Sequence, residues 1–229
     1  MYQELNDYLE FQSMKYIMPE KAGPLKDDMQ TFKAKGQLAR NSFTELSRAL
    51  EQRMDGFKMQ RVSNWANQAQ VGRPHFWVYY RKDTDQLDDV AVALRVYGVK
   101  DSFGVSLEVS FVERQKSDKT LEKQARVLSI PIASPLYFMV QRQGETHREE
   151  GNEENRQRLM QEIKSGKVRK VLVKYDVLLT ENQSLENILQ RLLEGFEKVL
   201  PYYQVCLTIK FVKLLAKFIE KMSWYTNSF

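Results

Sequence analysis

Three side chains in the middle of the sequence, His75, Arg95 and Glu108, could support acid–base or anion-binding chemistry. A histidine or a carboxylate can act as a general base, while a guanidinium can hold an anionic group of a substrate. Asp101 and Glu108 also resemble part of a two-metal nuclease pattern, but Ser110 stands where that pattern requires a lysine. His75, Arg95 and Glu108 therefore support the hypothesis of an enzyme of unknown reaction, in which they are the candidate catalytic residues. They predict no metal site.

A second set of residues combines aromatic rings with positive charge on segments that alternate like strands. Aromatic rings suit stacking on nucleic-acid bases and cations suit phosphates, although the same mixture also lines small-ligand pockets. We predict that this set binds nucleic acid or another anionic ligand. Its members are Arg73, Trp77, Tyr79, Arg95, Lys170 and Lys174.

The segment just before these strands is rich in hydrogen-bonding side chains. Residues 64–77 have the sequence NWANQAQVGRPHFW, with two asparagines, two glutamines and two tryptophans. Amide side chains both donate and accept hydrogen bonds, which suits recognition on a loop. This stretch resembles one in a family of bacterial proteins that have no established activity, so the resemblance implies no residue roles.

The other histidine, His147, lies among carboxylates in the segment 145–150, which has the sequence ETHREE. Because charge runs are typical of exposed faces and loops, we interpret this segment as a solvated loop after a turn at Gly144. Two histidines and one cysteine match no common zinc site. The usual nucleotide, hydrolase and metal motifs are absent from the sequence, so we predict neither a metal nor a cofactor.

Composition limits the class of protein. Thirty-five Lys and Arg residues against thirty Asp and Glu residues give a net charge of +5, which permits an anionic partner without requiring one. Cys206 is the one cysteine, so no internal disulfide can form, and we predict a cytoplasmic location. Residues 1–11 lack the pattern of a secretory signal, and charges interrupt the apolar region 202–224, so we expect no transmembrane segment.

Hydrophobic periodicity predicts the helices that must support these residues. Apolar spacings of three and four predict one helix that ends near Gly36 and another that begins at a capping box over residues 42–45. Asn152 is predicted to cap a later helix. The strongest amphipathic pattern covers residues 185–199, and Pro201 is predicted to end or kink that helix. A last helix is predicted to run to about residue 222 and to dock on the core.

Alternating patterns predict the strands. The segments 75–80, 90–99 and 105–111 have no helical segment between them, which favours antiparallel pairing. Further strands are predicted over 136–141 and 168–178. The predicted fold is one α+β domain over residues 1–229, with an antiparallel sheet of five or six strands. N- and C-terminal helices would cover one face, and the opposite face would be the working surface.

Three functions remain open on the sequence. The first is a nucleic-acid-binding module that uses the aromatic and basic sheet face. The second is an enzyme with a cleft around His75, Arg95 and Glu108, and the third is a protein-interaction component without a small-molecule site. A deep pocket around His75 and Glu108 would favour the enzyme, whereas an open basic groove would favour the binding module. Arg95 and Glu108 could also pair across strands with a structural role alone.

Overall fold

The computed structural model describes residues 1–207, in which helices and strands follow one another along the chain. The helices are α1 (Tyr2–Leu9), α2 (Lys26–Glu51), α3 (Asp118–Ala125), α4 (Glu153–Lys164) and α5 (Leu185–Leu207). The strands are β1 (Lys58–Met59), β2 (Trp77–Arg81), β3 (Ala91–Val99), β4 (Ser102–Ser110), β5 (Tyr137–Arg142), β6 (Glu145–Glu150) and β7 (Lys170–Leu178). The predicted last helix toward residue 222 lies outside the described residues.

The strands form an antiparallel sheet in the order β1-β2-β3-β4-β7-β5-β6. The prediction of an α+β fold with an antiparallel sheet and helices at both ends is confirmed. The predicted strand number of five or six was wrong, because the sheet has seven strands. The two additional strands are β1, whose two residues are too few to show a period, and β6, whose six residues are all polar and show no apolar alternation.

The chain divides into two compact units. Unit 1 comprises Met1–Asp85, Val92–Glu108 and Tyr175–Glu197. Within the described residues, unit 2 comprises Gln86–Ala91, Val109–Lys174 and residues 198–207. No helix within residues 1–207 has the length and the apolar stretch that crossing a membrane requires.

In unit 1, helix α2 packs on one face of β2 and β3. Tyr80 pairs with Val92 in the ladder, and its hydroxyl donates a hydrogen bond of 3.0 Å to the carbonyl of Ser47 in α2. Phe76, which precedes β2, stacks on Phe43 of the same helix at 5.9 Å between ring centroids. Because side chains alternate along a strand, the even-numbered residues of β2 and β3 face α2 and the odd-numbered residues face away.

Helix α2 is one helix of 26 residues, where two helices were predicted. Gly36 lies inside it and is buried, and a Cβ at this position would approach the Trp65 ring to 2.8 Å. The glycine therefore allows close contact with a distant segment instead of ending the helix. The predicted capping box at residues 42–45 lies in the helix interior, because packing against the sheet outweighs the local start signal.

Helix α5 confirms the strongest amphipathic pattern of the sequence. Its stripe is buried, with Ile188 1%, Leu189 2% and Leu192 0% exposed. The helix does not end at Pro201 but continues to Leu207. Since a proline removes one helical hydrogen bond, burial of the residues that follow it offsets this cost.

Candidate nucleic-acid interface

Trp77 and two arginines of unit 1 form a compact group, which we name the Trp77 cluster (Arg73, Trp77 and Arg95). Trp77 on β2 and Arg95 on β3 are partners in the strand register, so the ladder fixes their relative positions. The guanidinium carbon of Arg95 lies 5.3 Å from the centroid of the Trp77 ring, and that of Arg73 lies 4.6 Å from it. All three residues are half-buried. The structure therefore brings together three of the six residues predicted to bind nucleic acid, and their binding role stays a prediction.

Arg95 forms an ion pair with Glu108 of β4. The Oε1 atom of Glu108 accepts a hydrogen bond of 3.0 Å from Nε of Arg95 and lies 2.9 Å from Nη2. The Glu108 side chain is 1% exposed and that of Arg95 is 23% exposed. Burial opposes the charge of Arg95, yet the Glu108 carboxylate and the Tyr79 hydroxyl hold its pKa above the ordinary value. Arg95 therefore stays protonated, the Glu108 carboxylate balances its charge, and the ion pair fixes its position.

The face of the sheet opposite α2 is largely buried within unit 1. Tyr79 is 9% exposed, Ser106 is 0% exposed and Glu108 is 0% exposed as a whole residue. A general base must reach a substrate proton, and a carboxylate that is buried against a guanidinium is poorly placed to do so. His75 precedes β2 and is half-buried. The accessible part of the predicted surface is thus the margin formed by Arg73, His75 and Trp77.

The chain segment that carries Arg73 is tied to the N-terminal helix. The Tyr8 hydroxyl donates hydrogen bonds to the carbonyls of Trp65 and Arg73, the latter at 2.9 Å. The amide of Arg73 donates to the carbonyl of Trp65 at 2.8 Å. Gly72 lies so close to Phe11 that a Cβ would approach the Phe11 carbonyl oxygen to 2.5 Å. The main chain at Arg73 is therefore held in place, although nothing local in the sequence showed that Tyr8 would do so.

The amide side chains of the 64–77 segment divide into two groups. Asn67 is used inside the loop, because its side-chain oxygen accepts a hydrogen bond of 3.0 Å from the Val71 amide. Gln68 and Gln70 are exposed. Asn64 is exposed as well, so three of the four amide side chains of this segment are exposed, and the recognition role of the loop stays a prediction.

The two predicted lysines of unit 2 occupy different environments. Lys174 is 4% exposed and cannot form part of an open surface. The Lys170 ammonium lies over the Phe111 ring at 5.1 Å and donates a hydrogen bond of 2.8 Å to the Glu113 carboxylate. Arg169 donates to the same carboxylate at 2.9 Å. Sequence reasoning selected Lys170 but missed Glu113 and Arg169, since Glu113 lies beyond the end of β4 and the contact is made only in the folded chain.

The Glu113 carboxylate should stabilise the fold in a pH-dependent manner. Hydrogen bonding from Arg169, opposed by partial burial and supported by Lys170, holds the pKa of Glu113 well below its ordinary value of 4.5. A lowered folded-state pKa contributes stability above pH 4.5, and this contribution is lost as the pH falls below that value. Glu113→Gln should therefore cost at most about 1 kcal/mol at pH 7, because the side chain is 44% exposed. Urea titrations of both proteins at pH 7 and pH 3 should show the difference shrinking at acid pH, and a constant difference would contradict this assignment.

The interpretation of residues 145–150 as a loop was wrong, because they form β6. Val140 and His147 are register partners, and Gln143 and Gly144 form the turn between β5 and β6 with φ values of 48° and 90°. Two successive positive φ angles suit the right-handed twist of a hairpin. The His147 side chain is 53% exposed and lies 3.4 Å from Glu145. Across residues 1–207, no group of three or more His, Cys, Asp or Glu side chains is arranged to hold a metal ion.

Unit 2 also contains an open cleft of about 590 Å³. Residues from the β5–β6 hairpin, the preceding loop and the start of α4 line it, including Tyr137, Arg148 and Asn152. Neither His75 nor Glu108 belongs to its lining. This cleft therefore does not supply the pocket that the enzyme hypothesis required.

Comparisons with protein-family models, with curated proteins and with solved structures gave no match.

Proposed function

We propose that this protein binds nucleic acid, preferentially single-stranded, through the Trp77 cluster. The observation that carries the proposal is the approach of two guanidinium groups to one half-buried indole, at 4.6 and 5.3 Å from its centroid. Unpaired bases stack on aromatic rings and on arginine planes, and cations beside the stack attract phosphates. In the proposal, the accessible parts of the Trp77 ring and of the Arg73 guanidinium offer both kinds of contact in one place.

The two arginines have different roles in this proposal. Arg95 is paired with Glu108, so it positions the Trp77 ring and adds little net charge. Arg73 is half-buried on a segment whose main chain Tyr8 and Trp65 hold in place. In the proposal, the accessible part of its guanidinium, which lies at the Trp77 ring, contacts a phosphate next to the bound base, and its fixed main chain limits the entropy lost on binding.

The other residues predicted to bind nucleic acid lie outside the Trp77 cluster. Tyr79 stabilises the charge of Arg95 from inside the sheet, and Lys174 is buried. Lys170 belongs to a separate basic group in unit 2. A cytoplasmic location is part of the proposal, and it is supported by the single, fully buried cysteine, Cys206.

Arg73→Ala should weaken binding to a labelled single-stranded oligonucleotide and lower its salt dependence. One lost phosphate contact should reduce the magnitude of the slope of log K against log salt by about 0.7, whatever the base sequence.

Trp77→Leu should cost about 1–3 kcal/mol of binding energy for each base that the ring stacks on. Fluorescence anisotropy at several salt concentrations measures both effects.

Lys82→Ala is the matched control for Arg73→Ala. Lys82 is also a half-buried cation of unit 1 that lies over an aromatic ring, at 5.2 Å from the centroid of Phe57. Both substitutions remove one positive charge, so a general effect of net charge would appear equally in the two variants. If the two variants bind alike, the Trp77 cluster is not the interface. Turnover of the oligonucleotide by the wild-type protein would instead support the enzyme hypothesis.

A further inference from the structure

Unit 2 carries a concentration of positive charge where α4 leads into β7, and we name residues 164–170 the basic turn. These seven residues include Lys164, Lys167, Arg169 and Lys170. The Glu113 carboxylate accepts hydrogen bonds from Arg169 and Lys170, and also from Lys116 at 3.2 Å. A single carboxylate thus meets three cations, and the group keeps a net positive charge.

The main chain of the basic turn is fixed by the end of α4. The amide of Gly166 donates to the carbonyl of Ile163 at 3.0 Å, and the amide of Lys167 donates to that of Glu162 at 2.9 Å. Gly166 has a φ of 73°, so these bonds form the glycine-terminated helix end known as a Schellman motif. Val168, at 3% exposed, anchors the turn in the core of the unit. The backbone that presents the lysines is therefore ordered before any partner arrives.

Lys164 and Lys167 are both exposed, and within residues 1–207 neither side chain takes part in an ion pair. Cations at a helix C-terminus interact favourably with the helix dipole, which accounts for Lys164 in the last turn. The dipole effect falls off within that turn and does not account for Arg169, Lys170 and Lys116 beyond it. The excess of charge is larger than the helix end requires.

We propose that the basic turn, together with Lys116, contacts the phosphate backbone of bound nucleic acid. This inference rests on the proposed nucleic-acid function and adds a second contact surface in unit 2. Lysine and arginine contacts to phosphates position a protein without reading the base sequence. A membrane surface fits less well, because Val168 is the one apolar side chain of the turn and is buried.

The test compares the double variant Lys164→Ala/Lys167→Ala with Lys26→Ala/Lys33→Ala in the full chain. Lys26 and Lys33 are exposed on α2 in unit 1, so the control removes the same two charges elsewhere. Anisotropy titrations with a labelled single-stranded oligonucleotide give log K against log salt. The magnitude of the slope should decrease by about 1.4 in the first variant, which is about 0.7 for each lost phosphate contact. It should stay near the wild-type value in the control.

The outcomes distinguish a failure of this inference from a failure of the proposed function. If the wild type binds and the two double variants have equal slopes, the basic turn is excluded while the Trp77 cluster stands. If Lys164→Ala/Lys167→Ala makes the slope less steep while Arg73→Ala and Trp77→Leu bind like the wild type, the Trp77 cluster is excluded and the basic turn stands. If the wild type shows no binding at low salt, both are overturned. Binding to vesicles with anionic lipid in that case would assign the charge to a membrane surface. Circular dichroism of each variant excludes unfolding.

Discussion

Replacing Glu108 with alanine should lower the free energy of unfolding by about 3–5 kcal/mol, because it leaves the Arg95 guanidinium without its carboxylate. The Glu108 side chain is 1% exposed and its Oε1 lies 2.9 Å from Nη2 of Arg95, whose own side chain is 23% exposed. A charge taken out of water regains that cost only through its partner. Urea denaturation followed by circular dichroism measures the change.

Two further variants check the physical cause of the Glu108 effect. Glu108→Gln keeps a hydrogen-bond acceptor for Arg95 while removing the charge, so it should destabilise less than Glu108→Ala. The double variant Glu108→Ala/Arg95→Ala should be more stable than the sum of the single effects predicts, because the two residues are directly coupled. An effect of Glu108→Ala below about 0.5 kcal/mol, the range of an ordinary surface substitution, would contradict the assignment of a buried ion pair.

Leu192→Ala should destabilise the protein by about 2–5 kcal/mol through lost burial and the cavity that remains. Leu192 lies on the buried stripe of α5 and is 0% exposed. Leu185 lies on the same helix but is 47% exposed, so Leu185→Ala should change stability by no more than about 0.5 kcal/mol. Equal effects of the two substitutions in urea titrations would mean that the stripe does not face the core.

The buried ion pair also decides which residues can test function. Arg95→Ala would leave the Glu108 carboxylate buried without its cation, so a loss of binding in that variant would report unfolding as readily as a lost contact. Arg73 is half-buried, and the hydrogen bonds that fix its segment involve main-chain atoms of Arg73. Alanine at position 73 retains those atoms. Arg73 is therefore the better residue for separating binding from stability.

The sequence predicts those parts of the fold whose side chains alternate or repeat with a clear apolar period. The buried leucines of α5 and the strands β3 and β4 are examples. β6 escaped prediction because all six of its residues are polar, and its place at the sheet edge removes the need for apolar alternation. Gly36 was misinterpreted because its reason lies in a contact with Trp65, which is distant in sequence.

Part of the candidate site could also be inferred from periodicity. A period of two places Trp77 and Tyr79 on one face of β2, and the strand register then brings Arg95 beside Trp77. Periodicity does not show which of these side chains stay accessible, since that depends on the depth of the whole face. Of the cations in the basic turn, the sequence analysis selected Lys170 alone, because Lys164 in the last turn of a helix has a local explanation in the helix dipole. Four cations within seven residues were the signal that could have identified the basic turn.

The proposed binding of single-stranded nucleic acid is most directly tested by titrating a labelled oligonucleotide with the wild-type protein at increasing salt. We expect binding at low salt, with log K falling linearly with log salt. The Arg73 contact alone predicts a slope with a magnitude of at least about 0.7, at about 0.7 per phosphate on a single strand. No change in anisotropy at low salt, up to protein concentrations of about 100 µM, would contradict the claim, because even non-specific binding falls within that range.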